Sequence, residues 1–483
     1  MNPAFLSALR TSLPANALLI EPEALRPYEC DGLSAYRQVP LAVCLPETLE
    51  QAQAVLRVCR QYNVPVVARG AGTGLSGGAL PLANGVILSL ARFNRILEID
   101  AENRLARVQP GVRNLAISEA VAHLGLYYAP DPSSQIACSI GGNVAENSGG
   151  VHCLKYGLTV HNLLALKVLT IDGELLDIGL QALDSPGYDL LALMTGSEGL
   201  LGIVVEVTVK LLVKPERAQV VLAAFDSVET AGAAVARIIG AGILPAGLEM
   251  MDNLSIRAAE DFVHAGYPVD ATAILLCELD GLNAEVSEQI LALRAVLLDA
   301  GATEVRTAED EAQRLKFWAG RKGAFPAVGR ISPDYYCMDG TIPRQHLARV
   351  LGRIGELSAQ YGLRVANVFH AGDGNLHPLI LFDANQPDEL HRAEAFGTDI
   401  LKLCVEVGGT VTGEHGIGVE KLDAACSQFT PEELSQFHAI KAAFDPAGLL
   451  NPGKAVPTLH RCAEMGRMHV HGGALPFPEL PRF

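Results

Sequence analysis

The chain has 483 residues, 49% of them hydrophobic and 19% charged, with a formal net charge of −17 at pH 7. That apolar content excludes a disordered chain and is enough for two or three domain cores. The acidic balance, with no Lys/Arg cluster, argues against a nucleic-acid or anionic-membrane partner.

The ten cysteines are scattered singly, with no C-x-x-C pair. A zinc ribbon, an iron–sulfur cluster or a dithiol site is therefore not expected, and the cysteines read as reduced, buried thiols of a cytoplasmic protein. The start, MNPAFLSALRTSLPANALLI, has no long apolar core behind basic residues. No signal peptide is expected, and no run of about 18 apolar residues marks a membrane span.

In chain order, residues 47–67 read as a helix followed by a strand. Thr48 and Gln51 form a capping box, and Leu49, Ala52, Leu56 and Cys59 recur at helical spacing. VPVVA then reads as a buried strand. NGVILSL (84–90), RLARVQPG (104–111) and ALKVLTIDGELLDI (165–178) are further strand signals, the last with an Asp172-Gly173 hairpin turn. LGIVVEVTVKLLV (201–213) alternates and stops at Pro215, which puts a domain boundary near 215–218. Beyond it come VVLAAF, helices near 227–240 and 283–300, and LRVANVFH (363–370). They alternate without glycine fingerprints, the pattern of an antiparallel sheet carrying helices. Thr430, Pro431 and Glu433 start a helix that Asp445-Pro446 ends. The tail from 456, rich in Pro, His and Met, reads as a docking segment or a disordered end.

RGAGTGLSGG (69–78) matches G-x-G-x-x-G at Gly72, Gly74 and Gly77, after a strand. A Rossmann turn must open a helix whose N-terminus takes a pyrophosphate. Here Pro81, Gly85 and another strand follow, so that meaning fails, and no Gly-Lys-Ser/Thr supports a P-loop. Two readings remain: a tight turn, or a nest of backbone N–H groups for an anion, with Thr73 and Ser76 as hydroxyl donors. PDPSSQIACSIGGNVAENSGG (130–150) is a second small-residue loop, containing Gly141, Gly142, Asn143, Asn147, Gly149 and Gly150. Two such loops suit a long, flat, phosphate-bearing cofactor lying against backbone.

VFHAGDGNLHPLILF (368–382) carries His370 and His377 on either side of an Asp373-Gly374 turn signal. Counting outward from a two-residue turn pairs 372 with 375, 371 with 376, and His370 with His377. Such a pair shares a face, with Cβ atoms about 4.5–5.5 Å apart. Two imidazoles so placed can share a divalent metal; the plainer alternative is two structural histidines. TVTGEHGIGVEK (410–421) adds Glu414 and His415 between Gly413 and Gly416. Glu414 is a candidate third ligand, since two nitrogens and one oxygen leave positions open for substrate. His415 is a candidate general base. The alternative is a solvated acid–base pair in a glycine turn. In FWAGRKGAF (317–325), Arg321 offers a planar fork for a substrate carboxylate, against the commoner surface salt bridge.

As a set these motifs resemble the FAD-binding domain of the vanillyl-alcohol-oxidase-type enzymes, and GSEGLLGIVVEVTVKL (196–211) is similar to that domain's closing segment. The resemblance covers nearly the whole chain. It implies an α+β fold: an N-terminal segment (1–35), a two-part FAD-binding domain (36–217), a substrate or cap domain with an antiparallel sheet and helices (218–455), and a tail (456–483). It implies that Arg69, Gly70, Ala71, Gly72, Thr73, Gly74, Leu75 and Ser76 wrap the FAD pyrophosphate. Pro130, Ser134, Gly141, Gly142, Asn143 and Asn147 would line the isoalloxazine and ribityl region. Glu198, Gly199 and Ile203 would meet the adenine side, and Asn451, in NPGK, would lie near the flavin. Some relatives tether the flavin through a loop histidine. Residues 69–78 contain none, so FAD is expected to be non-covalent, with His152 the histidine to check.

Relatives with this W-x-x-R pattern oxidise 2-hydroxy acids of D configuration. By that likeness Arg321 clamps the carboxylate, zinc, manganese or iron sits on His370, His377 and Glu414, and His415 is the base. RKGAFPAVGRISPDYYCMDGTIPR (321–344) and LHRCAEMG look like the FAD-linked D subunits of bacterial glycolate oxidases. Phe325 and Leu379 stand where relatives acting on larger diacids carry polar groups. Glycolate is therefore expected, with D-lactate the alternative, because one methyl is worth only about 1–3 kcal/mol. The resemblance also implies FAD-binding and iron–sulfur companion subunits, and peripheral contact with the inner face of the plasma membrane through them. The rival reading is a non-catalytic FAD-binding subunit.

Overall fold

The computed structural model describes residues 2–180, 187–458 and 461–462. Thr48 caps helix Leu49–Tyr62 by accepting from Gln51 N, while the Gln51 side chain reaches back to Glu47 N rather than to Thr48. The helix buries Ala52, Val55, Leu56 and Cys59 and leads into strand Val66–Arg69. That strand lies parallel to Val86–Ser89, which lies parallel to Ala42–Cys44, and Leu18–Leu19 closes the sheet antiparallel. No helix intervenes between Arg69 and Val86, so the glycine loop connects neighbouring parallel strands and is not a Rossmann turn.

A second, antiparallel sheet has the order Ile96–Asp100, Leu105–Val108, Ile203–Lys210, Leu163–Leu169, Leu175–Gly179. Its last hairpin turns at Gly173, whose φ of 72° suits glycine. The 130–150 stretch is not all loop. Ser139 accepts from Gly142 N and caps helix Ile140–Glu146. A Cβ on Gly141 would come 2.5 Å from Pro110 Cβ, so a bare backbone is what lets this helix press against its neighbour. The poor helix propensity of paired glycines masks the element in the sequence.

From Arg217 a seven-stranded antiparallel sheet follows: Glu304–Thr307, Arg217–Phe225, Ala273–Gly281, Gly247–Asp252, Val365–Phe369, Pro378–Phe382, Asp334–Cys337. Helices Val228–Gly240, Asn283–Asp299 and Leu347–Tyr361 bury their apolar stripes on one face. Helices Asn253–Val263 and Glu311–Lys322 cover the other. Helix Pro431–Phe444 has the full Thr430–Glu433 capping box. The chain then returns to the first sheet, where Val66 and Asn451 exchange backbone bonds with Leu449 and Val66 at 2.8 Å.

Cys426 and Cys462 form a disulfide, which corrects the reading of all ten cysteines as reduced thiols. The two are 36 positions apart, and the return after helix Pro431–Phe444 brings them together. No local spacing signals such a pair. Among the described residues no helix is long and apolar enough to cross a membrane. Most of the tail lies outside the described residues.

Candidate functional site

A cavity of about 730 Å³ lies where the glycine loops of the first domain meet the cap. Arg69, Gly70, Ala71, Gly72, Thr73, Gly74 and Leu75 line it. Among the described residues, no backbone N–H from Gly70 to Gly78 donates to a backbone acceptor. A run of donors without backbone acceptors beside a cavity has the chemistry to hold an anion such as a pyrophosphate. Gly72 sits at φ 73°, with Arg69 Nη2 where a Cβ would be. Ser76 is set apart from the cavity: it is fully buried, and its carbonyl accepts from Val419 N and Glu420 N, tying the cap to the loop.

Ser134, Gly141, Gly142 and Asn143 also line the cavity, as do Glu198, Gly199 and Ile203. Pro130 and Asn147 lie behind it. The Pro130 carbonyl accepts from Asn114 Nδ2, and Asn147 Oδ1 accepts from Val160 N. Glu198 has a second engagement, because its carboxylate accepts from Ile417 N at 2.7 Å and Gly418 N at 2.8 Å. It thereby holds the loop that carries His415. Asn451 does not reach the cavity; its Nδ2 donates to Gly78 O and Glu198 O and braces the two loops from outside. His152 is likewise outside, its ring nitrogens 3.0 Å from Asp131 Oδ2 and 3.2 Å from Glu278 Oε1.

On the cap side, His377, Glu414 and His415 line the same cavity, and His370 lies just beneath. The hairpin register differs from the expected one. His370 bridges Asn375, and Asn367 pairs with Pro378, so four residues, Ala371 to Gly374, form the turn in place of two. The register moves by two positions, which keeps every side chain on its face. His370 and His377 are therefore diagonal neighbours with ring centroids 5.1 Å apart.

Both Nε2 atoms converge on Glu414 Oε1, at 3.2 Å from His370 and 3.0 Å from His377. These separations approach the roughly 3.4 Å edge of a tetrahedron whose ligands sit about 2.1 Å from a shared ion. The outer nitrogens are anchored, His370 Nδ1 on Glu249 Oε1 at 2.9 Å and His377 Nδ1 on Met338 O at 3.3 Å. Anchored imidazoles with a converging carboxylate fit a divalent metal. Burial would push His370 down, but the Glu249 and Glu414 carboxylates hold it well up. Burial pushes His415 down to about 4, and its Nδ1 has no partner. The ring stacks on His377 with centroids 5.0 Å apart.

Arg321 is 1% exposed, which rules out a surface salt bridge. It does not line the cavity; the next residue, Lys322, does. Its Nη2 pairs with Glu249 Oε2 at 2.6 Å, while Nε and Nη1 have no acceptor. A buried guanidinium with open donors suits a planar oxyanion. Phe325 lines the cavity beside His377, whereas Leu379 is buried in the cap core.

Sequence reasoning missed Asp339, Lys421, Glu249 and Glu146. Asp339 is fully buried and accepts from Glu414 N at 3.1 Å, His415 N at 2.9 Å and Lys421 Nζ at 2.9 Å. It shapes the loop that presents the candidate base. Glu146 lines the cavity, and burial with neighbouring Glu198 pushes its carboxyl well up. An acid flanked by apolar residues in a strand, as in the GLEMM stretch (247–251), is the signal that could have exposed Glu249.

The FAD-binding domain family matches residues 40–179, and the C-terminal domain family of FAD-linked oxidases matches 214–455. The chain is 70% identical over 478 residues to glycolate oxidase subunit GlcD of Escherichia coli strain K12, covering 99% of this chain and 96% of the relative. It is 40% identical over 428 residues to the same-named subunit of Bacillus subtilis strain 168, covering 88% and 91%. Its fold is similar to that of 4-ethylphenol oxidase from Gulosibacter chungangensis, with a TM-score of 0.80 at 19% identity, covering 95% of this chain and 97% of that one. With both domains matched and a near-full-length relative at 70% identity, the chain belongs to the FAD-linked oxidases and is an FAD-dependent oxidoreductase.

Proposed function

We propose that the chain oxidises glycolate to glyoxylate at the meeting of its two domains. One observation carries this reading: His377, Glu414 and His415 line the same cavity as the Arg69–Leu75 loop and Gly141–Asn143. FAD bound along those loops would accept a hydride at N5. A divalent ion held by His370, His377 and Glu414 would polarise the substrate's 2-hydroxyl.

The protein's own groups do the rest. Arg321 offers its unpaired donors to the carboxylate and so orients C2. His415 is unprotonated across the neutral range, because burial pushes its pKa down to about 4. It takes the hydroxyl proton on an imidazole nitrogen as the C2 hydrogen leaves with its electron pair. Phe325 gives a second carboxylate nothing to bond, which favours a short monoacid.

The GlcD relatives are named as subunits. By that likeness we infer that electrons leave for FAD-binding and iron–sulfur companion subunits, which would hold the chain at the inner face of the plasma membrane. The sequence has no C-x-x-C pair for a relay of its own.

Anaerobic titration with glycolate, D-lactate and L-lactate, read at the flavin band, tests the reading. Glycolate should bleach the flavin at the lowest concentration. No bleaching by any of the three would favour the non-catalytic subunit.

A further inference from the structure

Glu249 lies mid-strand in Gly247–Asp252, all of it buried, at the centre of the seven-stranded sheet. The register that pairs Met250 with Phe369 and Met251 with Val368 sets position 249 across from His370. Helix Glu311–Lys322 covers the same face and delivers Arg321 from its last turn. Each carboxylate oxygen therefore meets a different functional group: Oε1 is 2.9 Å from His370 Nδ1, and Oε2 is 2.6 Å from Arg321 Nη2. All three side chains are at most 4% exposed.

A carboxylate can only accept, so Glu249 holds a proton on His370 Nδ1 and fixes the ring with Nε2, the nitrogen an ion would use, facing Glu414 Oε1. The same carboxylate pairs with Arg321 at Nη2 and offsets its charge, while Nε and Nη1 have no partner. One side chain thus sets the orientation of a metal ligand and of the carboxylate reader together. A purely structural ion pair would be expected to occupy the guanidinium's donors as well as balance its charge.

We propose that Glu249 is a positioning residue that couples ion binding at His370 to substrate-carboxylate binding at Arg321. The proposal rests on the reading above of those two sites. It implies that one substitution, remote from the cavity wall, moves two measurable quantities at once.

The test uses the full-length chain with FAD bound, and Zn²⁺ as the probe ion against a competing chromophoric chelator. Glu249→Gln keeps the shape and removes the charge. Expected are Zn²⁺ binding weaker by about 10–100-fold, a raised KM for glycolate, and unchanged FAD content. Glu249→Asp keeps the charge on a shorter arm and should recover part of both losses; it decides the matter if the glutamine variant does not fold. Wild-type Zn²⁺ affinity and KM in these variants would overturn the proposal and leave the site reading intact. A wild-type chain that binds no Zn²⁺ would overturn both.

Discussion

The backbone N–H of Gly149 donates to Glu414 Oε2 at 2.8 Å, and this bond joins the cofactor loop to the imidazole cluster. Glu414 thus faces both ways, with Oε1 toward His370 and His377 and Oε2 toward the stretch that contains Gly141 and Asn143. A Cβ on Gly149 would sit 2.9 Å from that Oε2 and 3.0 Å from Leu158 Cδ2. Gly149→Ala should therefore displace Glu414, weakening ion binding by about 10–100-fold while FAD remains bound. Zn²⁺ titration beside flavin absorbance checks this, and an unaltered Zn²⁺ affinity would contradict it.

Phe325 closes the wall next to His377, with ring centroids 6.1 Å apart. Shortening it opens room for a larger substituent on C2. Phe325→Ala should shift kcat/KM toward D-lactate relative to glycolate by about 10-fold or more, the scale of one methyl in an apolar pocket. Steady-state kinetics with both acids measures the ratio, and a ratio that stays put would move the specificity wall elsewhere.

His152 gives a pH signature of stability. Burial alone would pull its pKa down, but the carboxylates of Asp131 and Glu278 push it up to about 10. In the unfolded chain the value returns to about 6.5. The folded form keeps its proton where the unfolded form releases it, so the stabilisation is complete below about 6.5 and is lost as pH rises through about 10. The gap in Tm between the wild type and His152→Gln should therefore narrow from pH 6.5 to pH 10. A gap that is constant or widens over that range would contradict the assignment.

How much of this was legible in the sequence depends on range. Helix Leu49–Tyr62, strand Val66–Arg69 and the capped helix Pro431–Phe444 follow from local spacing and caps, and local rules found them. The failed Rossmann context of Gly72, Gly74 and Gly77 was also local, and it correctly excluded a Rossmann turn, since no helix follows the loop before Val86. Helix Ile140–Glu146 was hidden because Gly141 serves a contact with Pro110 that only the folded chain reveals. The histidine hairpin came out on the right face with the wrong turn length, since period-two alternation constrains faces and not loop size. Asp339 and the Cys426–Cys462 bond were out of reach, because each acts on partners brought together by tertiary contacts.

The most direct test of the account is anaerobic stopped-flow reduction of the flavin by glycolate in His415→Ala, loaded with FAD and Zn²⁺ and compared with the wild type. The ring of His415 lines the cavity and holds an unpartnered nitrogen, so its loss should leave FAD content unchanged and slow bleaching by about 10²–10⁴-fold. Bleaching at the wild-type rate would show that the imidazole cluster does not serve the chemistry at the flavin.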